Sequence, residues 1–146
     1  MATINTTPKK ILDKLDSGVT VTQPTTKTHN VYTFNEWLAD NGTLKLLQGS
    51  VENDSETLYT VPTGKVFYLT SCNLNILNNS GAANGGSIRA GGIAILGITP
   101  INGTSLTNSA SFPIPIKLTA DQTVQIFSNA LNTKTSGRAQ GYEISA

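Results

Sequence analysis

The chain has few of the residues with which enzymes and metalloproteins carry out chemistry. Its 146 residues include one cysteine, Cys72, and one histidine, His29. A single cysteine excludes an intrachain disulfide, and a lone histidine without a cysteine nearby supplies too few ligands for zinc. We expect Cys72 to be a buried strand residue and His29 to be solvated or at an interface. No cofactor is expected.

Sequence patterns of known catalytic and ion-binding sites are also missing. There is no G-x-S-x-G elbow, no EF-hand loop and no glycine-rich loop that leads into a helix. Glu52, Asp54 and Glu56 alternate, which suggests either a calcium site or a solvated hairpin loop. Asp121 and Glu143 are candidates for a glycosidase pair, but Asp121 falls in a predicted turn and Glu143 on a predicted outward face. The sequence therefore predicts that the protein is not an enzyme.

Charge and long apolar runs are scarce as well. Charged residues make up 13% of the chain and the net charge is +1, whereas a nucleic-acid binder needs a basic stripe. The one lysine cluster, in KKILDKLD (9–16), is interleaved with aspartates. No apolar run approaches the roughly 20 residues of a membrane span, and MATINTT has no signal-peptide pattern. We expect no nucleic-acid partner and no membrane partner.

The second part of the chain has the pattern of a β-protein rich in turns. Short alternating segments are separated by Gly, Pro, Asn and Asp, which favours six strands after residue 55 and two or three before it. No segment predicts a helix long enough for a parallel α/β sheet. The predicted fold is all-β: an antiparallel β-sandwich, jelly-roll-like, that occupies residues 51–146.

Several strands allow finer predictions. In KVFYLTSCNLNIL (65–77) the even positions, from Val66 to Ile76, form the more apolar and therefore inward face. Gly91-Gly92 predicts a bulge within one strand, with Ile88 and Ala90 inward before it and Ile93 and Ile95 inward after it. In FPIPIKL (112–118) Phe112, Ile114, Ile116 and Leu118 are predicted to face inward, alternating with two prolines and a lysine that face outward. Two prolines on one side of the strand indicate an edge strand or a sharp corner. The polar stretches 78–87, 99–111 and 129–137 are predicted loops.

Residues 1–50 form a predicted N-terminal docking arm with two short helices. Thr7 and Pro8 suit the start of a helix near 8–17, and Gly18 suits its end. An extended, threonine-rich stretch follows, interrupted by Pro24. Thr33 and Glu36 fit a capping box that begins a second helix near 34–41. A strand is expected from 43 to 51.

The apolar residues of the arm are the predicted partner-binding residues. Helices of about ten residues are not stable alone in water, so their apolar faces must dock on something. Tryptophan is enriched at interface hot spots, which makes Trp37 the favoured anchor. The predicted contact residues are Ile11, Leu12, Leu15, Tyr32, Phe34, Trp37 and Leu38.

Three segments of the second part carry a family resemblance. LYTVPTGKVFYLTS (58–71) is predicted to form a strand, a turn with Pro-x-Gly-Lys, and a second strand. FPIPIKLTADQTVQIFS (112–128) has the same strand–turn–strand pattern, and the third segment is GYEI (141–144) near the C-terminus. These segments resemble small β-sandwich, jelly-roll-like virion structural proteins of tailed bacteriophages, of the capsid decoration or cement type. The resemblance implies a non-enzymatic virion protein, made in the host cytoplasm and assembled as a homo-oligomer, with a trimer favoured.

Three functional hypotheses follow from these patterns. The leading one is a capsid decoration or cement protein whose arm bridges and stabilises subunits of the major capsid protein. The second is a phage tail or fibre component that binds host-surface glycans through the loops 78–87, 99–111 and 129–137. The third is a cellular carbohydrate-binding module or small hydrolase, which would need a cleft with paired carboxylates.

Overall fold

The computed structural model describes residues 33–146, which form one short helix and eight strands. The helix is α1 (Phe34–Asn41). The strands are β1 (Thr43–Glu52), β2 (Ser55–Thr60), β3 (Lys65–Asn78), β4 (Gly86–Ala90), β5 (Ile93–Ile98), β6 (Thr104–Leu118), β7 (Thr123–Ser128) and β8 (Thr133–Ser145).

The strands form two four-stranded antiparallel sheets, with the orders β1-β8-β3-β6 and β2-β7-β4-β5. The pairing is nested along the chain, because β1 pairs with β8, β2 with β7, β3 with β6 and β4 with β5. A long hairpin that is rolled up in this way is a jelly roll. The predicted all-β antiparallel sandwich is therefore confirmed, with a strand order that the sequence did not specify.

The core lies between the two sheets and consists of their inward-facing apolar side chains. Phe67, Leu74 and Ile76 of β3 are fully buried, as are Ile88 of β4 and Ile126 of β7. Each such side chain contributes roughly 1.5–3 kcal/mol to folding through removal of apolar surface from water. β3 is central because it pairs with both β6 and β8.

A β-bulge at Thr70 changes which residues of β3 face the core. The register of β3 shifts between Leu69 and Ser71 against both neighbouring strands. The prediction that the even positions face inward is correct after the bulge, where Cys72, Leu74 and Ile76 point inward. Before the bulge it fails, since Phe67 and Leu69 are fully buried, although Val66 is also buried at 8% exposed. One extra residue shifts the two-residue alternation by one position.

β6 is longer than predicted and lies at a sheet edge. It begins at Thr104, so most of the expected loop 99–111 is strand. Its ladder with β3 jumps from Ser111 to Ile116, which leaves residues 112–115 outside the pairing. Because residues 112–115 are unpaired in this ladder, the missing N–H groups of Pro113 and Pro115 break no hydrogen bond with β3. Ile114, which was predicted to face inward, is 87% exposed. The predicted edge position is confirmed by the strand order.

Gly91 and Gly92 make a turn and not a bulge. Their φ angles are +57° and +84°, and they join β4 to β5 as a two-residue hairpin loop. Two consecutive positive φ values match the twist of a hairpin and favour glycine. Ile88 and Ala90 point inward as predicted, but Ile93 is 71% exposed. The bulge lies further along, at Ile95, where the register of β5 against β4 shifts.

The N-terminal boundary of the sandwich differs from the expected one. β1 pairs along its whole length with β8, so the sandwich begins at Thr43 and not at residue 51. The loop expected at 129–137 is also shorter, because β8 begins at Thr133. The helix expected near 34–41 is present with its capping box: Glu36 N donates to Thr33 Oγ1 at 3.3 Å and Thr33 N to Glu36 Oε2 at 2.7 Å. The helix expected near 8–17 lies outside the described residues.

Candidate interaction surfaces

One end of the sandwich is built around the buried side chain of Asn78, the last residue of β3. Its Nδ2 donates to Ala82 O at 2.7 Å and to Pro100 O at 2.8 Å. Its Oδ1 accepts from the N and Oγ of Ser80 and from Oγ1 of Thr133, at 3.0, 2.6 and 3.1 Å. One fully buried amide therefore links the β3–β4 and β5–β6 connections to the start of β8.

Further hydrogen bonds hold these connections against one another. Gly81 N donates to Asn102 Oδ1 at 2.9 Å, and Gly85 N donates to Asn129 Oδ1 at 2.8 Å. Asn132 N donates to Glu52 Oε1 at 2.8 Å, which adds the end of β1. The connections after β3, β5 and β7, which are the loop parts of the three stretches proposed to bind glycans, thus meet at one end of the sandwich, where Ile101 and Leu131 are 68% and 67% exposed.

Asn78 is not among the residues predicted from the sequence, although a signal for it is present there. Asn78 continues the inward series Cys72, Leu74 and Ile76 at two-residue spacing. A polar residue at the end of an apolar inward stripe must find buried hydrogen-bond partners, because an unpaired buried amide is costly. The pattern of β3 alone therefore indicates that Asn78 organises the connections at this end of the sandwich.

The opposite end carries the aromatic residues of α1. The rings of Phe34 and Trp37 stack with centroids 5.8 Å apart, and Phe34 meets Tyr68 of β3 edge-on at 5.1 Å. Phe34 and Trp37 remain 45% and 41% exposed. Together they present a half-exposed aromatic surface of the kind found at interface anchors.

The predicted partner-binding residues fall into three groups. Phe34 and Trp37 are half-exposed, so both remain candidates for partner contact. Leu38 is fully buried and faces into the domain, where it anchors a helix too short to be stable alone, so it offers no surface to a partner. The other predicted contact residues, Ile11, Leu12, Leu15 and Tyr32, lie outside the described residues.

The outer face of the β1-β8-β3-β6 sheet is polar and slightly concave. A shallow groove of about 720 Å³ runs over it, lined by Gln48, Asn73, Ser109, Arg138 and Gln140 together with Leu46 of the edge strand β1. Arg138 is the one charged side chain of this lining and lies at its centre, since it pairs with Gln48 on one side and Asn73 on the other. Such a face offers many uncharged hydrogen-bonding groups to a partner.

The three carboxylates considered for a calcium site, Glu52, Asp54 and Glu56, accept hydrogen bonds from backbone N–H groups. Glu52 accepts from Asn132 N, Asp54 accepts from Ser55 N at 2.7 Å, and Glu56 accepts from Ser50 N at 2.9 Å. Within residues 33–146 no three His, Cys, Asp or Glu side chains form a cluster able to hold a metal ion.

Glu143 points inward, contrary to the expected outward phase. It lies opposite the buried Phe67 in the ladder, and its carboxylate accepts a hydrogen bond from the hydroxyl of Tyr59 on the other sheet. Lys45 Nζ lies 3.7 Å from the same carboxylate. Burial, followed by the hydrogen bond to Glu143 and its charge, raises the pKa of Tyr59 well above its usual range. These contacts tie the two sheets together.

Cys72 is a structural residue, as predicted. It is 5% exposed, and burial raises the pKa of its thiol to about 11 despite a backbone hydrogen bond involving Ala110 that acts to lower it. The thiol is therefore almost wholly protonated at neutral pH, and the nucleophilic thiolate is scarce.

We expect a matching resistance of Cys72 to thiol reagents. At pH 7.5 the native protein should react with 5,5′-dithiobis(2-nitrobenzoate) at least about 100-fold more slowly than protein unfolded in guanidinium chloride, because attack requires both exposure and deprotonation. Absorbance at 412 nm measures both rates. A native rate equal to the unfolded rate would contradict the burial of Cys72.

The comparison with known proteins matches the architecture. A chain from the acidic stable capsid structure of Helicobacter pylori bacteriophage KHP30 superposes with a TM-score of 0.50 and 14% sequence identity, covering 73% of this chain and 96% of that one. The likeness is one of fold. A pentameric capsid protein isolated from metagenomic phage sequences gives a TM-score of 0.40 at 22% identity, with 97% and 92% of the two chains covered.

The sequence comparisons add no family to this fold. No family model matches the chain, and no curated protein matches it in sequence. Within residues 33–146 there is also no helix long and apolar enough to cross a lipid bilayer.

Proposed function

We propose that this chain is a non-enzymatic structural protein of a phage virion, specifically a capsid decoration or cement protein. The observation that carries the proposal is the jelly-roll fold shared with a chain of a phage capsid structure at a TM-score of 0.50. The resemblance of segments 58–71, 112–128 and 141–144 to tailed-phage virion proteins supports it independently of the superposition.

The described surfaces suit a protein that joins other proteins. The half-exposed rings of Phe34 and Trp37 lie on α1, at the start of the described residues. The residues before them carry the apolar stripe Ile11, Leu12 and Leu15. In the proposal this segment docks on the major capsid protein and the sandwich stays outside. A homo-oligomer, with a trimer favoured by the family resemblance, would multiply the number of attachments.

The docking role of the N-terminal segment predicts the effect of its removal. Deletion of residues 1–31 is expected to reduce co-sedimentation with empty capsids of the parent phage by at least about 100-fold, because avidity and the docked apolar surface are lost together. This deletion keeps α1 and β1, whereas removal of residues 1–50 would take away most of β1. Sedimentation with capsids and a far-UV circular dichroism spectrum measure attachment and folding.

A second variant, Trp37→Ser in the full chain, tests the contribution of the aromatic surface to docking. If the aromatic surface assists docking, this variant binds capsids more weakly than wild type but better than the deletion. A folded deletion variant that attaches as well as the wild type would refute the docking role of residues 1–31.

A tail or fibre component that binds host-surface glycans is the second candidate. The observation in its favour is that the connections after β3, β5 and β7 meet at one end and are fixed by the buried Asn78. A rigid end rich in asparagine amides is suited to hydrogen bonding with sugar hydroxyls. A glycan-array signal that disappears when residues 80–84 are shortened would favour this function over capsid decoration.

A further inference from the structure

The four edge strands of the sandwich differ in how they are protected against pairing with another chain. β2 carries a bulge at Leu58, β5 a bulge at Ile95, and β6 a four-residue interruption with two prolines. Bulges and prolines are devices by which proteins block edge-to-edge pairing. β1 has neither, since its register with β8 runs without a shift from Thr43 to Glu52. Among the described edge strands, β1 is the one with neither a bulge nor a proline.

The backbone groups that β1 turns away from β8 belong to its even-numbered residues. Ser50 N donates to the carboxylate of Glu56, a residue outside this sheet, so its N–H faces the free side. Residues two apart send their N–H groups to the same side of a strand. The N–H groups of Leu44, Leu46 and Gln48 therefore also face the free side.

This open stretch has defined limits. Ser50 N is occupied by Glu56 Oε2 at 2.9 Å, and Gly42 N is occupied by Leu38 O at 2.8 Å. The open edge is thus Leu44–Gln48, long enough for a partner strand of four or five residues. Leu44 and Leu46 are 46% and 72% exposed, so apolar side chains flank the open backbone. A short uncharged strand with apolar residues on one face fits this edge.

We propose that residues 19–22 of a second copy of this chain add to β1 as a fifth strand of the sheet. The sequence Val19-Thr20-Val21-Thr22 alternates valine with threonine, both of which favour strands, and it is bounded by Gly18 and Pro24. Its four residues match the length of the open edge. In an added strand, the two valines lie on one face, beside Leu44 and Leu46, and the threonines lie on the other.

The length of the connecting segment allows the exchange between copies. Residues 23–32 separate the valine-threonine stretch from α1, and ten extended residues span at most about 33 Å. That distance is comparable to the width of a small domain, so the stretch reaches an adjacent copy. Each copy donates one segment and accepts one, which is a head-to-tail contact that closes into a ring or continues as a chain. The contact concerns copies of this protein and does not depend on capsid attachment.

Proline substitution at Leu46 tests the proposal in the full-length protein. Leu46→Pro removes an N–H that faces the free side, so the ladder with β8 stays intact while strand addition is blocked. Its matched control, Leu46→Ala, removes the same apolar side chain but keeps the N–H. We expect proline to weaken self-association by roughly tenfold or more and alanine to weaken it clearly less. Light scattering across a dilution series measures association, and thermal unfolding confirms the fold.

A mixing experiment identifies the donated segment. Thr20→Pro with Val21→Pro removes the N–H groups of two neighbouring residues, which face opposite sides, so one of them must face β1 in any register. Each mutant chain alone is expected to self-associate at least roughly tenfold more weakly than the wild type. An equimolar mixture is expected to form heterodimers, because the Leu46→Pro chain still has an intact segment and the double variant still has an intact edge. Native mass spectrometry distinguishes the two chains.

Three outcomes overturn the proposal: a wild-type chain that is monomeric at all concentrations, self-association of Leu46→Pro equal to that of wild type, or a mixture that stays monomeric. If Leu46→Pro fails to fold, Gln48→Pro takes its place, since its N–H also faces the free side. Capsid attachment is scored separately, so failure of strand exchange and failure of the capsid proposal are distinguishable.

Discussion

Replacing Asn78 with alanine is expected to lower the free energy of unfolding by about 3 kcal/mol or more, because several buried polar groups lose their partner together. The amide is fully buried, donates to Ala82 O and Pro100 O, and accepts from Ser80 and Thr133. The alanine variant leaves these groups with neither the amide nor water. Urea titration followed by tryptophan fluorescence measures the change.

Asn73 provides the matched control for Asn78. Both are asparagines of β3, but Asn73 is exposed on the outer face of the sheet. Asn73→Ala is expected to change the free energy of unfolding by less than about 0.5 kcal/mol, as is usual for exposed substitutions. Equal values for the two variants would mean that the Asn78 network contributes little. The Asn78 variant should also bind less to a glycan array if the glycan-binding alternative is right.

Gly141→Ala is expected to destabilise the sandwich by about 2–3 kcal/mol through overpacking. A Cβ at this position would lie 2.5 Å from Cζ and 2.9 Å from Cε2 of Phe67, whose ring is fully buried. The neighbouring carbonyl of Tyr68 belongs to the β3 backbone, so it cannot move aside without disturbing the ladder. Guanidinium or urea titration gives the free energy of unfolding.

The control for Gly141 is another strand glycine that has room for a side chain. At Gly97 of the edge strand β5 an added Cβ has Gly86 O as its nearest atom, at 3.4 Å. Glycine in a strand loses much conformational freedom on folding, so Gly97→Ala is expected to be neutral or slightly stabilising. A Gly141→Ala variant as stable as Gly97→Ala would show that the core accommodates the extra methyl group.

Local signals in the sequence predicted the elements that depend on neighbours along the chain. The capping box of Thr33 and Glu36 begins α1 because both partners lie within one helical turn. Pro62 and Gly64 form the predicted turn, in which Lys65 N donates to Pro62 O at 3.1 Å and Gly64 has a φ of +76°. The paired prolines of β6 predicted an edge strand because proline has no N–H to donate.

Burial was predicted less well, because it depends on pairing between strands distant in the sequence. The bulge at Thr70 reverses the phase of the first half of β3, and the register with β6 and β8 decides where that bulge lies. Glu143 points inward because it lies opposite Phe67, 76 positions away along the chain. An alternating pattern defines the two faces of a strand, but it does not show where a bulge exchanges the inward and outward positions.

The sequence by itself thus determined the class of the protein: an all-β domain with many turns. Those features follow from composition and from interactions between residues a few positions apart. Only the tertiary structure decided the jelly-roll order, the burial of Asn78 at the meeting point of three connections, and the open edge at Leu44–Gln48. Each of these depends on which strand lies beside which, and long-range pairing has no signature within a single strand.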